Sequence, residues 1–154
     1  MEISLLQHNK DTCPRTVTLE QVVELIRTGN NFAMPICSVS AILEGGYRQK
    51  DTVRLTGLSV ISYTAPENSS IAELREEARA DPHTLLIFGT ADTLNIIFSY
   101  ELDQEYELRQ QKLFYTKAFD FACDYYDQLM GVKTNRTDKG RVVQLAHDAE
   151  AYYL

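Results

Sequence analysis

Four cations, Lys133, Arg136, Lys139 and Arg141, stand in one short stretch that holds a single acid, Asp138. Such a stretch can grip a phosphate, and the planar fork of arginine suits two phosphate oxygens at once. Its plain alternative is a solvated loop, because charged loop residues are mostly just exposed. The pair His147-Asp148 offers a carboxylate beside an imidazole, the arrangement that orients a general base or a metal ligand. Neighbours on an extended chain point to opposite faces, which argues against a joint role. His83, after Asp81-Pro82, reads as a loop residue. Tyr115, Tyr125 and Tyr126 could stack on bases, but at helical spacing beside Phe114 and Phe121 they read as core. Cys13, Cys37 and Cys123 are far apart and odd in number, with no CxxC or Cys/His spacing. They read as buried free thiols in a reducing compartment rather than a zinc site or disulfide framework. The chain has no phosphate loop, GxGxxG, GxSxG or HExxH motif, so neither a cofactor nor a metal is expected.

With 154 residues the chain is the size of one domain, spanning 1–154, and 44% hydrophobic residues are enough for one good core. The net charge of −7 repels phosphate backbones on average and leaves 133–141 as the local exception. No basic leader and no apolar run of membrane-spanning length is present. A cytoplasmic protein without a membrane partner is the expectation.

The most apolar stretch, Thr84–Ser99, must hold any site in place. Two apolar runs flank the polar turn Gly89–Thr93, a hairpin signal. Leu85 and Ile87 should share one face, and Leu94, Ile96 and Phe98 one face of the partner strand. This hairpin should lie mid-sheet, with its turn at the mouth of any site. Around it, Met1–Gln7 reads as a strand. Thr18 and Gln21 form a capping box for a helix ending at Gly29. Phe32–Leu43 reads as a bent strand, Glu44–Tyr47 as a turn and Leu55–Thr64 as one strand. Ser70 caps a helix over Ile71–Ala80, which Asp81-Pro82 ends. A long helix runs from about Glu107 to Met130, where Gly131 stops it. Its apolar face is drawn through Leu108, Leu113 (or Lys112), Phe114, Ala118, Phe121, Ala122, Tyr125, Tyr126 and Leu129. A last strand covers Arg141–Ala146, followed by a tail. The predicted core is Leu58, Val60, Leu86, Ile87, Ile96, Phe98, Phe114, Phe121 and Leu145. This order points to an α+β fold, with helices against one antiparallel-rich sheet.

From end to end the order of segments resembles the VirE N-terminal domain family. The residues that carry this are Ile3–Leu6, Val17–Ile26, Met34-Pro35-Ile36, Thr56–Ile61, Asp81–Thr84, Arg141–Leu145, Ala146–Ala149 and Tyr152-Tyr153. The resemblance implies a fold like that of the archaeo-eukaryotic primases and a place in mobile-element replication in bacteria. It also implies a metal-holding Asp-x-Asp pair, and here those positions are Ser62 and Thr64, whose hydroxyls cannot supply that charge. The family's glycine-rich, lysine-bearing turn is replaced by Phe88–Asn95, with Asn95 at the lysine and Asp92 adding negative charge. Arg141 and Asp148 match charged positions.

The expectation is therefore a catalytically degenerate module that joins a replication or mobilisation complex through a protein partner. Its phosphate-facing residues would be Lys133, Arg136, Lys139, Arg141, Asn95 and Asp148. Two alternatives stand beside it: weak binding of single-stranded nucleic acid or a nucleotide, and metal-dependent nucleotidyl transfer through rearranged acids such as Asp92 and Asp148.

Overall fold

A computed structural model describes residues 1–29, 34–67, 70–134, 136, 139 and 141–154. Phe32 and Ala33, at the start of the bent strand expected over Phe32–Leu43, lie outside the described residues, as does Asp138. The fold is α+β. Among the described residues, three α-helices, α1 (Leu19–Thr28), α2 (Ile71–Ala80) and α3 (Leu108–Met130), accompany ten strands. The strands are β1 (Glu2–Leu6), β2 (Arg15–Thr18), β3 (Ile36–Ser38), β4 (Ala41–Leu43), β5 (Thr52–Leu55), β6 (Leu58–Thr64), β7 (Thr84–Gly89), β8 (Thr93–Ser99), β9 (Val142–Gln144) and β10 (Tyr152–Tyr153).

The expected single sheet is replaced by three antiparallel assemblies. These are β2-β1-β3-β9, β10-β7-β8-β6 and the pair β4-β5. One reason is local. Gly57 has φ +80°, a left-handed conformation that side chains resist, so the strand expected over Leu55–Thr64 breaks there into β5 and β6. The last strand is likewise shorter than Arg141–Ala146, and the tail returns as β10 along the edge of β7.

The hairpin β7-β8 does lie mid-sheet, flanked by β6 and β10. Its strands are apolar on both faces because both faces are covered. On one face Ile61, Tyr63, Ile87, Leu94, Ile96 and Phe98 pack against Ile71, Leu74 and Ala78 of α2 and the buried stripe of α3. On the other, Leu58, Val60, Leu86, Phe88 and Ile97 meet Ile3 and Leu5 of β1 and Leu19, Val22, Val23 and Ile26 of α1. Leu94, Ile96 and Phe98 share a face as expected, but Leu85 and Ile87 do not. The register slips between Thr84 and Leu86, and this bulge sends Leu85 to the α1 side while Ile87 meets α2 and α3.

Helix ends follow their caps. Thr18 Oγ1 accepts from Gln21 N at 3.2 Å, and Gln21 Oε1 accepts from Thr18 N at 2.9 Å. At the other end of α1 the chain's C-terminal segment takes up one of the orphan carbonyls that every helix leaves and accepts from an α1 side chain in return. Asp148 N donates to Ile26 O at 2.9 Å, and Arg27 donates to Ala151 O. Gly131, at φ +70°, closes α3.

The apolar face of α3 is only partly the expected one: Ala122 and Tyr126 are buried and Leu108 and Leu129 pack against the core, but Leu113, Phe114, Phe121 and Tyr125 are exposed. Its buried residues are Gln111, Tyr115, Phe119, Ala122, Cys123, Tyr126 and Met130. Phe121 is 76% exposed, Leu113 62% and Phe114 41%, so Phe114 and Phe121 leave the core that sequence assigned them. The helix carries two apolar stripes about 100° apart, and hydropathy alone cannot choose between them. Polar complementarity decides. Tyr126 Oη lies 2.9 Å from Thr84 Oγ1, Tyr115 Oη 2.9 Å from Ser59 Oγ, and Gln111 Oε1 accepts from Leu55 N at 3.1 Å. Each of these polar ends of the buried stripe finds a partner on the strands, whereas the exposed stripe has one polar end, Tyr125, which reaches the loop at Asp81 instead. Of the thiols, Cys37 and Cys123 are buried as expected, and Cys13 is exposed. No helix among the described residues is long and apolar enough to cross a membrane.

Candidate functional site

The six residues expected to face a phosphate do not form one site. Arg136 is already engaged. Its Nη2 lies 2.7 Å from Asp124 Oδ1 and 3.1 Å from Asp127 Oδ2, and hydrogen bonds to Asp124 and Asp127 hold the guanidinium even more firmly protonated than usual. Lys133 and Lys139 are exposed, and the Lys139 carbonyl accepts the Tyr115 hydroxyl. Asn95 is buried on β8, where its Oδ1 accepts from Ser62 Oγ at 2.7 Å, and the Ser62 carbonyl takes Thr134 Oγ1 at 2.6 Å. The loop after α3 therefore does meet β6 beside Asn95, as a structural seam of hydrogen bonds. Thr64 is exposed at the end of β6.

Asp148 is a tether. Its Oδ2 accepts from Gly89 N and from Arg75 Nη2, each at 2.9 Å, and its Oδ1 accepts from Glu150 N at 3.0 Å. Those partners join α2, β7 and the C-terminal segment, and none belongs to the loop of cations. His147 turns away from it: its Nδ1 lies 3.1 Å from Ile26 O at the end of α1. The turn Thr90–Asp92 closes on itself through Thr90 Oγ1 and Asp92 Oδ1 at 2.9 Å and lines neither of the two clefts below.

Both clefts border α3, on different faces. The larger, about 660 Å³, runs between the exposed stripe of α3 and the end of β8. Phe114, Phe121 and Tyr125 form one wall, Phe98 and Tyr100 the other, and Lys117 and the imidazole of His83 complete its lining. Tyr125 stands edge-on to His83, with ring centroids 5.4 Å apart, and its hydroxyl donates to Asp81. Asp81 is buried beneath. Burial alone would raise its pKa, but hydrogen bonds from the Tyr125 hydroxyl and from the backbone and ring of His83 outweigh that and lower it. A lowered carboxyl contributes stability that is full above its unfolded value of about 3.9 and is lost as pH falls through the folded one. Tyr125→Phe removes one of these donors. Its stability deficit against the parent, followed by urea unfolding across pH, should be constant near neutrality and shrink below about pH 4. A deficit independent of pH would show that the hydroxyl acts only by packing.

The smaller cleft, about 70 Å³, lies between β4-β5 and α3 and is lined in part by Ser40, Thr52, Lys112, Thr116 and Arg141. Its floor is Tyr115, whose phenol burial pushes up to about 12, against the opposing pull of Ser59, Ser40 and the charge of Arg141. Of the expected phosphate-facing residues, Arg141 is the one that lines this cleft. Lys112 was missed because, from sequence, it was weighed only as a position on the apolar face of α3.

The chain matches no curated protein and no solved structure. The family model that it matches over residues 31–153 is not that of the VirE N-terminal domain, which corrects the resemblance drawn from segment order. That order rested on motifs each a few residues long, and short runs around Gly, Pro and Tyr recur wherever strands meet turns. The primase-like fold and the mobile-element role lose the resemblance they rested on. With most of its length matched, the protein belongs to the family of the BT4734-like, N-terminal domain.

Proposed function

We propose that this domain is an accessory binding module rather than a nucleotidyl transferase, and that it docks a partner protein in the aromatic cleft of α3. The observation that carries this reading is Phe121, 76% exposed at the centre of the stripe Phe114, Ala118, Phe121 and Tyr125. A phenylalanine left in water forgoes about 1.5–3 kcal/mol that burial would supply. Contiguous apolar surface of this kind on a folded domain marks an interaction site. Spacing of i, i+4, i+7 and i+11 is the pattern by which a helix face meets a second apolar element.

The occupant is an amphipathic helix with acidic flanks. Acids outnumber bases by 22 to 15 over the chain, yet the cleft is lined by Lys117 and His83 and by no carboxylate. An apolar face edged with Glu would place its charges against that rim. The chemistry proposed here is recognition alone.

The test is fluorescence anisotropy with two labelled designed helices that share a Leu/Phe face, one flanked by Glu and one by Lys. The Glu-flanked helix should bind saturably, lose binding to Phe121→Asp and bind Lys117→Glu more weakly. Phe121→Asp should fold normally, since the side chain it replaces is already in water. Equal binding by the parent and Phe121→Asp would overturn the cleft. Tighter binding of the Lys-flanked helix would overturn the acidic partner. Sedimentation showing a dimer of the parent that Phe121→Asp abolishes would assign the face to a second copy of the chain instead.

A further inference from the structure

We infer that the small cleft beside Arg141 is an oxyanion site, fitted to one phosphate or sulfate group on a small ligand. Its lining includes two cations and no acid. Lys112 reaches it from α3 and Arg141 from the residue before β9, with Ser40, Gln49, Thr52 and Thr116 supplying neutral polar groups around them. Among the described residues, neither cation lies within ion-pair distance of a carboxylate, whereas Arg54 and Arg75 each hold one and Arg136 holds two. In a chain of net charge −7, two unpaired cations on one cavity form a local positive focus.

The site is also held in shape. The Arg141 carbonyl accepts from Val39 N at 2.8 Å, which fixes its backbone against the turn between β3 and β4. On the opposite side, the Tyr115 hydroxyl donates to the Lys139 carbonyl and lies 2.9 Å from Ser59 Oγ, so the approach to β9 is pinned to α3 and β6. Arg141 is half-buried, and a charge-assisted bond made inside a cleft is worth more than one on open surface.

Size sets the ligand class. A cleft of about 70 Å³ is small and opens to solvent, which suits a single tetrahedral oxyanion held between Lys112 and Arg141, with any larger ligand that carries it extending outward over Lys112. This reading is independent of the aromatic cleft and shares no lining residue with it.

The experiment is a titration of the full chain with inorganic phosphate, and in parallel with sulfate, at constant ionic strength. Backbone amide shifts and melting temperature are the two readouts. Saturable shifts should centre on residues 39–41, 112–116 and 141–143, with a rise in melting temperature. Arg141→Gln should weaken the affinity by about tenfold or more, the loss of a forked, charge-assisted contact. Lys112→Gln, on an exposed position that leaves the fold intact, should weaken it less, and Lys133→Gln not at all. Equal responses in the parent, Arg141→Gln and Lys112→Gln would overturn the site, as would an unsaturating, chain-wide response. A third arm uses a labelled thymidine oligonucleotide. Binding of that strand through Arg141, with no response to free phosphate or sulfate, would overturn the small-ligand assignment.

Discussion

Phe119→Ala should destabilise the protein by about 3–5 kcal/mol, while Phe121→Ala, two positions along the same helix, should stay within about 0.5 kcal/mol of the parent. The two side chains are chemically identical and differ only in where the helix points them. Phe119 is 2% exposed and belongs to the cluster that joins α3 to β6, β7 and β8. It stacks on Tyr115 with ring centroids 6.1 Å apart and interplanar angle 16°. Truncation there removes the ring's transfer free energy and leaves a cavity between a helix and a sheet that cannot fully close. Phe121, in water, has little to lose. Urea unfolding of both variants, compared at equal slope, measures the difference directly. A Phe121→Ala variant as unstable as Phe119→Ala would mean that α3 is rotated by about 100° and that the aromatic cleft is core.

That pair also shows where the sequence could be read and where it could not. The hairpin, all three helices, the Thr18–Gln21 cap, the αL stop at Gly131 and the α+β class follow from local rules, because caps, glycines and apolar runs act over a few residues. The facing of α3 does not. Both of its stripes are aromatic, and what selects one is the position of Ser59, Thr84 and the Leu55 amide on strands far away in sequence. Leu85 escaped for a similar reason: a bulge is a property of two strands together, not of one. Nor could the fate of the cations be read. Four of them in one loop look like an anion site until Asp124 and Asp127, on the preceding helix, are seen to hold Arg136. Arg141 alone lines a cleft, and its companion there, Lys112, comes from an element with no resemblance to a binding loop.

Asp127→Ala should cost about 2–4 kcal/mol, far more than Asp124→Ala, although both acids touch Arg136. Asp124 is 76% exposed, and its bridge belongs to the surface class worth about 0–1 kcal/mol. Asp127, 15% exposed, is a hub. Its Oδ1 accepts from the Tyr63 hydroxyl at 2.8 Å and from Thr134 N at 3.0 Å, and its Oδ2 faces Arg136 at 3.1 Å. Tyr63 is 1% exposed, so without Asp127 its hydroxyl is left in the core with no acceptor. Burial, then the hydrogen bond to Asp127, raises the Tyr63 pKa well above the phenol range, so at any working pH it is a donor that needs a partner. A double-mutant cycle separates the parts. Tyr63→Phe in the Asp127→Ala background removes the orphaned hydroxyl, and the double variant should be no less stable than Asp127→Ala alone. Asp127→Asn, which keeps an acceptor for Tyr63 and loses the charge facing Arg136, should fall between parent and Asp127→Ala. The loop after α3 is fastened to β6 through this carboxylate and through Thr134, so amide exchange at Thr134 should quicken in Asp127→Ala and stay unchanged in Asp124→Ala. If Asp127→Ala proves neutral in stability, this carboxylate does not fasten the loop, and Arg136 is held by Asp124 alone.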